Sequence, residues 1–184
     1  EAAPARRCAF IAPANLIATA IAALPQRALL TFGSVATWVL WPALGKRRRY
    51  AATNIALCFP ELDEAARARL LRDNLRATVT GVLELVRGWF ASPGRLHGLA
   101  DVDGLEHVRA ARERGQGVLL FGGHFPHSEL CARLLGEALG ERVTIVARHN
   151  NDACIERWLD GARRRAFADV IGKKDVRGLL RALS

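Results

Sequence analysis

The stretch Gly117–Leu130 reads GVLLFGGHFPHSEL and contains, in order, the signals of a strand, a tight turn and the start of a helix. The apolar run at 118–121 predicts a buried strand, and the two glycines that follow allow the backbone to turn sharply. Proline suits the first position of a helix, so Pro126 indicates where the helix begins. In α/β sheets the active crevice lies beyond the carboxyl ends of the strands, which is where we expect this turn.

His124 and Glu129, five residues apart in this turn, are candidates for acid–base chemistry. On one continuous helix their directions would differ by about 140°, and the side chains would not meet. With His124 in the loop and Glu129 in the first helical turn, the ring can fold back over the carboxylate. We therefore predict that Glu129 orients His124, which accepts a proton from a substrate hydroxyl.

Downstream of this turn the pattern alternates between helix and strand. Helices are predicted at 127–139, 152–166 and 176–183, and strands at 143–147 and 170–171. Such alternation is typical of a parallel sheet covered by helices, so the predicted fold class is α/β.

A long helix is predicted upstream, between Asp63 and the break at Ser92-Pro93-Gly94. Asp63 is expected to cap its N-terminus. Its apolar residues recur at helical spacing and predict a stripe that faces the core. The stripe consists of Leu71, Leu75, Val79, Val82 and Val86.

The beginning of the chain differs from the rest, because Arg27 is the only charged residue between Arg7 and Lys46. The apolar stretches on either side of Arg27 are each short for a bilayer span of about 20 residues. Trp38 and Trp41, followed by a basic cluster, are typical of a membrane interface with a cytoplasmic flank. We therefore predict hydrophobic membrane-anchoring helices here.

This interpretation divides the chain into a membrane-associating segment at 1–45 and a catalytic domain at 46–184. A buried pair of core helices is the alternative for the first segment. A signal peptide is disfavoured, because the basic cluster Lys46–Arg49 follows the apolar stretch instead of preceding it.

The four cysteines lie far apart and lack a Cys-x-x-Cys spacing, so neither a disulfide framework nor a zinc knuckle is predicted. A reducing, cytoplasm-facing environment is the simpler interpretation. A metal cluster of His124, His127 and Glu129 is disfavoured, because it lacks the His-Glu-x-x-His register. His127 is expected to face solvent or the cleft, and no metal or cofactor is predicted.

The formal net charge of +9 favours an anionic partner. Nucleic acid is disfavoured, because no recognised binding motif or aromatic stacking platform accompanies the charge. The basic residues between 157 and 177 can form a solvated face. They can also receive phosphates and acidic sugars, or an acidic carrier protein.

Three motifs in a fixed order resemble one family. They are Asn54-x-x-Leu57-Cys58-Phe59-Pro60-Glu61-Leu62, His124-Phe125-x-x-x-Glu129-Leu130 and Arg148-His149-Asn150-Asn151. Behind an apolar N-terminus, they resemble the late acyltransferases of lipid A biosynthesis, the lauroyl and myristoyl transferases. The similarity runs from about Leu29 to the last residue.

The resemblance implies a membrane-anchored, glycerolipid-acyltransferase-like α/β fold. It implies transfer of a fatty acyl group from acyl carrier protein to a hydroxyl of the Kdo-bearing lipid A precursor, at the cytoplasmic face of the bacterial inner membrane. The family continues with further strands and an acidic motif, so we expect this chain to be incomplete at its C-terminus.

The resemblance also implies roles for individual residues. The family's general base and its supporting carboxylate correspond to His124 and Glu129. A further family arginine, counted back from Ile171-Gly172, falls on Arg163, with Arg164 as the alternative. The predicted substrate contacts are Arg163, Arg164, Arg148, His149 and Asn150, although His149 and its neighbours also suit a simple turn.

Two other functions remain open. One is an acyltransferase of the same chemistry that acts on another phospholipid or glycolipid. The other is an inactive, truncated domain that binds anionic membrane lipid, and it predicts lipid binding that is insensitive to Glu129→Gln.

Overall fold

The structure is a computed structural model that describes residues 8–183. Within these residues it is mostly helical, with one small parallel sheet. The strands are β1 (Ile145–Ala147) and β2 (Val170–Gly172). The helices are α1 (Ile11–Ala23), α2 (Gln26–Leu40), α3 (Gly45–Cys58), α4 (Glu64–Phe90), α5 (Pro93–Leu96), α6 (Leu105–Glu113), α7 (Ser128–Leu139), α8 (Ala153–Ala166) and α9 (Val176–Leu183).

The other large elements pack around α4, a helix of 27 residues. Its N-terminus is capped as predicted, because the Asp63 carboxylate accepts a hydrogen bond from the backbone N–H of Ala66 at 2.7 Å. Helices α1, α2 and α3 pack on α4, and so do α7 and α8. A single long helix therefore joins the apolar N-terminal helices to the elements that follow the glycine turn.

The stripe predicted to face the core from α4 is only partly correct. Leu75 is buried, but Val82 is 56% exposed. The positions that are buried in the second half of the helix are Thr80, Gly81, Arg87, Gly88 and Trp89. Apolar periodicity identified the helix but not its buried face, because that face contains two glycines that admit a neighbouring backbone, a threonine and an arginine beside Trp89.

An aromatic core lies where α4, α8 and β1 meet. Trp89 and Phe167 are buried, and Ala162 and Ala166 present small side chains of α8 to them. The rings of Trp89 and Trp158 pack edge to face, with centroids 6.0 Å apart. This core fixes the position of α8 relative to α4.

The strand predicted at 118–121 is not formed. Val118 is half-buried, Leu119 and Leu120 are exposed, and Phe121 is 99% exposed. A strand needs a neighbour to take up its backbone hydrogen bonds, and within residues 8–183 the sheet contains only β1 and β2. The α/β prediction is therefore right for the parallel β1–α8–β2 unit and wrong about the size of the sheet.

Apart from the fully buried Leu29, the helices α1 and α2 bury small residues and expose most of their large ones. Ala18, Ala22 and Gly33 are buried, whereas Leu16 and Trp38 are 73% and 79% exposed. Within residues 8–183, no helix on its own has the length and apolar composition of a membrane span. Helices α2 and α3 meet these requirements only as a pair, which is bent by 103° at the intervening break. The predicted anchoring helices are therefore not confirmed.

Cys8 and Cys154 form a disulfide, contrary to the prediction of free thiols. Their Cα atoms lie 5.5 Å apart although 146 residues separate them in the chain. Sequence spacing carries no information about such a pair, because the fold alone brings it together. The bond joins the segment before α1 to the first turn of α8, while Cys58 and Cys131 are free and exposed.

Candidate active site

Glu129 lies in the first turn of α7, and side chains from two other helices hold its carboxylate. Arg163 of α8 donates through Nη2 to Oε1 at 2.7 Å and through Nε to both oxygens at 3.1 and 3.2 Å. The indole Nε1 of Trp89 donates to Oε2 at 2.7 Å. The Arg163 and Glu129 side chains are only 13% and 20% exposed, so their attraction is little screened by water. Helices α4, α7 and α8 thus meet at this carboxylate.

Of the two arginines that the sequence left open, Arg163 faces Glu129 and Arg164 does not. The guanidinium of Arg164 pairs with Asp160 at 2.8 Å and with Asp169 at 3.3 Å, and its side chain is half exposed. Hydrogen bonding to Asp160, and the charge of that carboxylate, raise the pKa of Arg164. Arg164 therefore stabilises the C-terminal end of α8 at the surface.

His124 does not contact Glu129 in this structure, so the expected hydrogen bond is not formed. The ring is exposed in the loop before α7, and within residues 8–183 His124 makes no hydrogen bond or ion pair. Two features explain the difference. Helix α7 begins at Ser128 instead of at Pro126, which leaves a longer loop, and donors from other helices already contact the carboxylate.

His127 is the N-cap residue of α7 and lies against α4. Its Nδ1 is 2.8 Å from Oε2 of Glu84, and the two side chains are 42% and 12% exposed. The prediction that His127 faces solvent or the cleft is therefore only partly right. In the part of the chain that the structure describes, no three His, Cys, Asp or Glu side chains are grouped as a metal site requires.

The segment after β1, which carries Arg148, His149 and Asn150, is fastened to α8 by Glu156. The Glu156 carboxylate lies 2.7 Å from Nδ1 of His149 and accepts the backbone N–H of Asn150 at 2.5 Å. The N–H of Asn150 and, after it, His149 lower the pKa of Glu156. Arg148 extends into solvent beside them. The segment is thus a turn fixed by hydrogen bonds, with its side chains exposed.

Glu156 also connects this segment to the Glu129 cluster. Glu156 and Arg163 are seven residues apart on α8 and therefore lie on the same face. The charge of Arg163 contributes to the lowered pKa of Glu156. The structure thus brings Glu129, Arg163 and the 148–150 segment to one side of α8.

A known protein family matches nearly the whole chain. The profile of the family described as bacterial lipid A biosynthesis acyltransferase matches residues 7–184. The chain belongs to this family. The resemblance inferred from the sequence motifs is therefore confirmed.

Curated members of the family share about a third of their aligned residues with this chain. It is 29% identical over 160 residues to the lipid A biosynthesis palmitoleoyltransferase of Escherichia coli, covering 87% of this chain and 52% of the relative. It is 32% identical over 139 residues to the lipid A biosynthesis lauroyltransferase of Escherichia coli, covering 75% and 44%. It is 34% identical over 142 residues to the lipid A biosynthesis acyltransferase of Haemophilus influenzae, covering 76% and 44%.

The chain thus spans about half the length of the curated lipid A acyltransferases that it matches. No solved structure matches it.

Trp89 and Glu84 contact Glu129 and His127 in the segment around the His124–Glu129 motif of this lipid A acyltransferase family member. The sequence did not predict either contact. The signal for Trp89 is that a buried indole usually needs a partner for its N–H. Glu84 interrupts the apolar face of α4, and a carboxylate there requires a partner when it is buried. Both signals say that a partner exists, but neither says which residue it is.

Removal of Arg163 should destabilise the fold more than removal of Arg164. Arg163→Ala leaves the Glu129 carboxylate largely buried without its cation, so we expect the free energy of unfolding to fall by about 1–3 kcal/mol. Arg164→Ala removes an exposed pair and should change it by less than about 1 kcal/mol. Urea denaturation at pH 7 measures both values, and equal losses would contradict the assignment of Arg163 to the cluster.

Glu156 should contribute stability that depends on pH. Since its pKa is lowered in the folded chain, its contribution is present above the ordinary value of 4.5 and is lost as the pH falls through the lowered value. The difference in unfolding free energy between the parent and Glu156→Gln should therefore shrink below about pH 4.5. Urea denaturation from pH 7 to pH 3 tests this, and a difference that stays constant over that range would refute it.

Proposed function

We propose that the protein to which this chain belongs transfers a fatty acyl group from acyl carrier protein to a hydroxyl of the Kdo-bearing lipid A precursor in lipopolysaccharide biosynthesis. The observation that carries the proposal is the cluster of Glu129, Arg163 and Trp89 beside the His124 loop. In this cluster the Glu129 carboxylate is held by two donors, and the exposed His124 lies five residues before it in the chain. The chain belongs to the lipid A acyltransferase family.

His124 is the general base of the proposed reaction. Its ring nitrogen removes the proton from the acceptor hydroxyl while the hydroxyl oxygen attacks the carbonyl carbon of the carrier-bound thioester. A new ester C–O bond forms and the C–S bond breaks. The proton passes from His124 to the departing thiolate, so the ring returns to its neutral state and the carrier leaves as a free thiol.

Glu129 supports this base and is itself held by Arg163. A carboxylate accepts about four hydrogen bonds, and Arg163 and Trp89 already make four contacts with Glu129 through three N–H groups, so a ring N–H of His124 would replace one branch of the shared Arg163 Nε contact. Catalytic hydrogen bonds often form fully only in the substrate complex, which fits the exposed position of His124. Because Arg163 and Trp89 fix the carboxylate in advance, only the loop has to move.

The acceptor is anionic, and the nearby basic groups suit it. Arg148, His149 and Asn150 lie on the same side of α8 as the cluster, and Glu156 holds their backbone. Arg164 lies half-exposed at the end of that helix, where Asp160 and Asp169 balance its charge. An arginine guanidinium matches phosphate and carboxylate geometry, and we propose these four residues as contacts for the acceptor.

We further propose that the segment at 1–45 associates with membrane lipids, and that the domain at 46–184 works at the cytoplasmic face of the bacterial inner membrane. The exposed Leu16, Ile17 and Trp38 support a lipid contact, since large exposed apolar patches mark interaction surfaces. The disulfide of Cys8 with Cys154 is an argument against the cytoplasmic side, because cytosolic proteins rarely keep disulfides.

An acyltransferase that acts on another phospholipid or glycolipid is the alternative, since the basic groups would also accept those headgroups. We expect the full-length protein to acylate the Kdo-bearing precursor at least about tenfold faster than phosphatidylglycerol or lysophospholipid, judged by kcat/KM. A higher kcat/KM for either of the other acceptors would replace the proposed substrate.

His124→Ala should lower acyl transfer by the full-length protein at least about a hundredfold, because the acceptor hydroxyl loses its base. Binding to vesicles should remain unchanged, since the ring lies outside the apolar helices. His97→Ala, at an exposed position after α5, is the matched control and should retain activity. Substantial acyl transfer by His124→Ala would contradict the proposed mechanism.

A further inference from the structure

The loop that carries His124 lies on one face of α4. Gly81, Glu84, Gly88 and Trp89 fall within an arc of about 140° on that helix, at 100° per residue. Each of them meets a residue that follows His124 in the chain. Gly81 meets Pro126, Glu84 meets His127, Gly88 meets Leu130 and Trp89 meets Glu129.

Two of these contacts act on the loop itself. A Cβ placed on Gly81 would lie 2.3 Å from Cβ of Pro126, so the proline occupies the space of an absent side chain. One turn further along α4, Glu84 Oε2 lies 2.8 Å from Nδ1 of His127. His127 Nδ1 is buried and makes no well-aligned hydrogen bond, so the contact is a close approach of the ring to the carboxylate. The loop is thus held at both Pro126 and His127, within three residues of His124.

Glu84 is in turn fixed from the other side of α4. Gln26, the first residue of α2, donates through Nε2 to Glu84 Oε1 at 2.9 Å. The same amide accepts a hydrogen bond from Arg87 Nη1 at 2.6 Å. Burial, followed by the charge of Arg95, lowers the pKa of Arg87, and the nearby Glu84 carboxylate opposes this. The carboxylate therefore has one oxygen tied to α2 and the other to the loop.

We propose that Glu84 is a positioning residue which, together with Gly81, sets the place of the His124 loop relative to Glu129 and connects that loop to α2. The inference rests on the proposed function, because it gives Glu84 a task only if His124 acts in the reaction. Glu84 touches no reacting atom. It acts through His127, and the loop position then decides how often His124 is aligned for proton transfer.

Kinetics of the full-length protein can test this. Glu84→Gln keeps the size of the side chain and its contact with Gln26 but removes the charge opposite His127. We expect kcat to fall about tenfold to a hundredfold, since a small misplacement of a catalytic group has effects of that size. KM should change less than about twofold, because the substrate contacts are elsewhere.

His127→Gln should cause a similar loss, and the double variant should be no worse than the poorer single variant, because both changes break one contact. Asp73→Asn is the matched control. It breaks an exposed ion pair with Arg76 on α4, 3.2 Å long, and should leave kcat within about twofold. An unchanged kcat in Glu84→Gln, or losses that multiply in the double variant, would overturn the proposal.

A second variant tests the steric contact independently of charge. Gly81→Ala forces Pro126 to move, at an overpacking cost of about 1–3 kcal/mol that the gain of about 1 kcal/mol in helix propensity partly offsets, so we expect a folded protein whose kcat is about tenfold lower. Gly161→Ala, in α8 with open space around the glycine, should leave kcat unchanged. Full activity of Gly81→Ala would show that α4 does not determine the position of the His124 loop.

The two proposals fail in different ways. Activity in His124→Ala rejects the proposed mechanism, whatever Glu84 does. Inactivity of His124→Ala together with full activity of Glu84→Gln and Gly81→Ala rejects the positioning role alone.

Discussion

At Gly81 and Gly88 the backbone of α4 comes into direct contact with the loop and the helix that carry the candidate active site. The missing side chains let Pro126 approach to a distance that a Cβ on Gly81 would prevent, and let Leu130 pack more tightly than a Cβ on Gly88 usually allows. This close approach brings the Trp89 indole within 2.7 Å of Glu129. Arg163 reaches the same carboxylate because the aromatic core holds α8 against α4. The geometry of the site therefore depends on small residues in a helix that carries no member of the sequence motif.

The sequence predicted the elements whose signals are local. Capping by Asp63, the β1–α8–β2 unit and the helix beginning beside Ser128 all follow from nearby residues. The two main errors concern residues whose predicted or actual partners are distant in the chain. The apolar run at 118–121 has the composition of a buried strand, but composition does not supply a neighbouring strand. The pairing of Cys8 with Cys154 depends on the folded chain, and spacing could not reveal it.

The candidate site was predictable to the extent that the family motif names its residues. The motif identified Glu129, and the family resemblance left Arg163 and Arg164 as candidates for the family's further arginine. Only the position of α8 shows that Arg163 is the one that contacts Glu129. The direct contact of His124 with Glu129 was wrong for this structure, because spacing does not show which donors reach the carboxylate first. Trp89 and Glu84 lie about 40 residues upstream of the motif, so no local pattern joins them to it.

The exposed segment at 118–121 has a consequence for handling the chain. Leu119, Leu120 and Phe121 expose apolar side chains in a segment that belongs to neither strand of the sheet. Such a segment accepts a strand from any molecule that offers one, including a second copy of itself. Gly122 and Gly123 follow it without the charges or proline with which proteins commonly blunt a free edge. Residues 1–184 expressed alone are therefore prone to assemble into aggregates through this segment, a few residues from the candidate base.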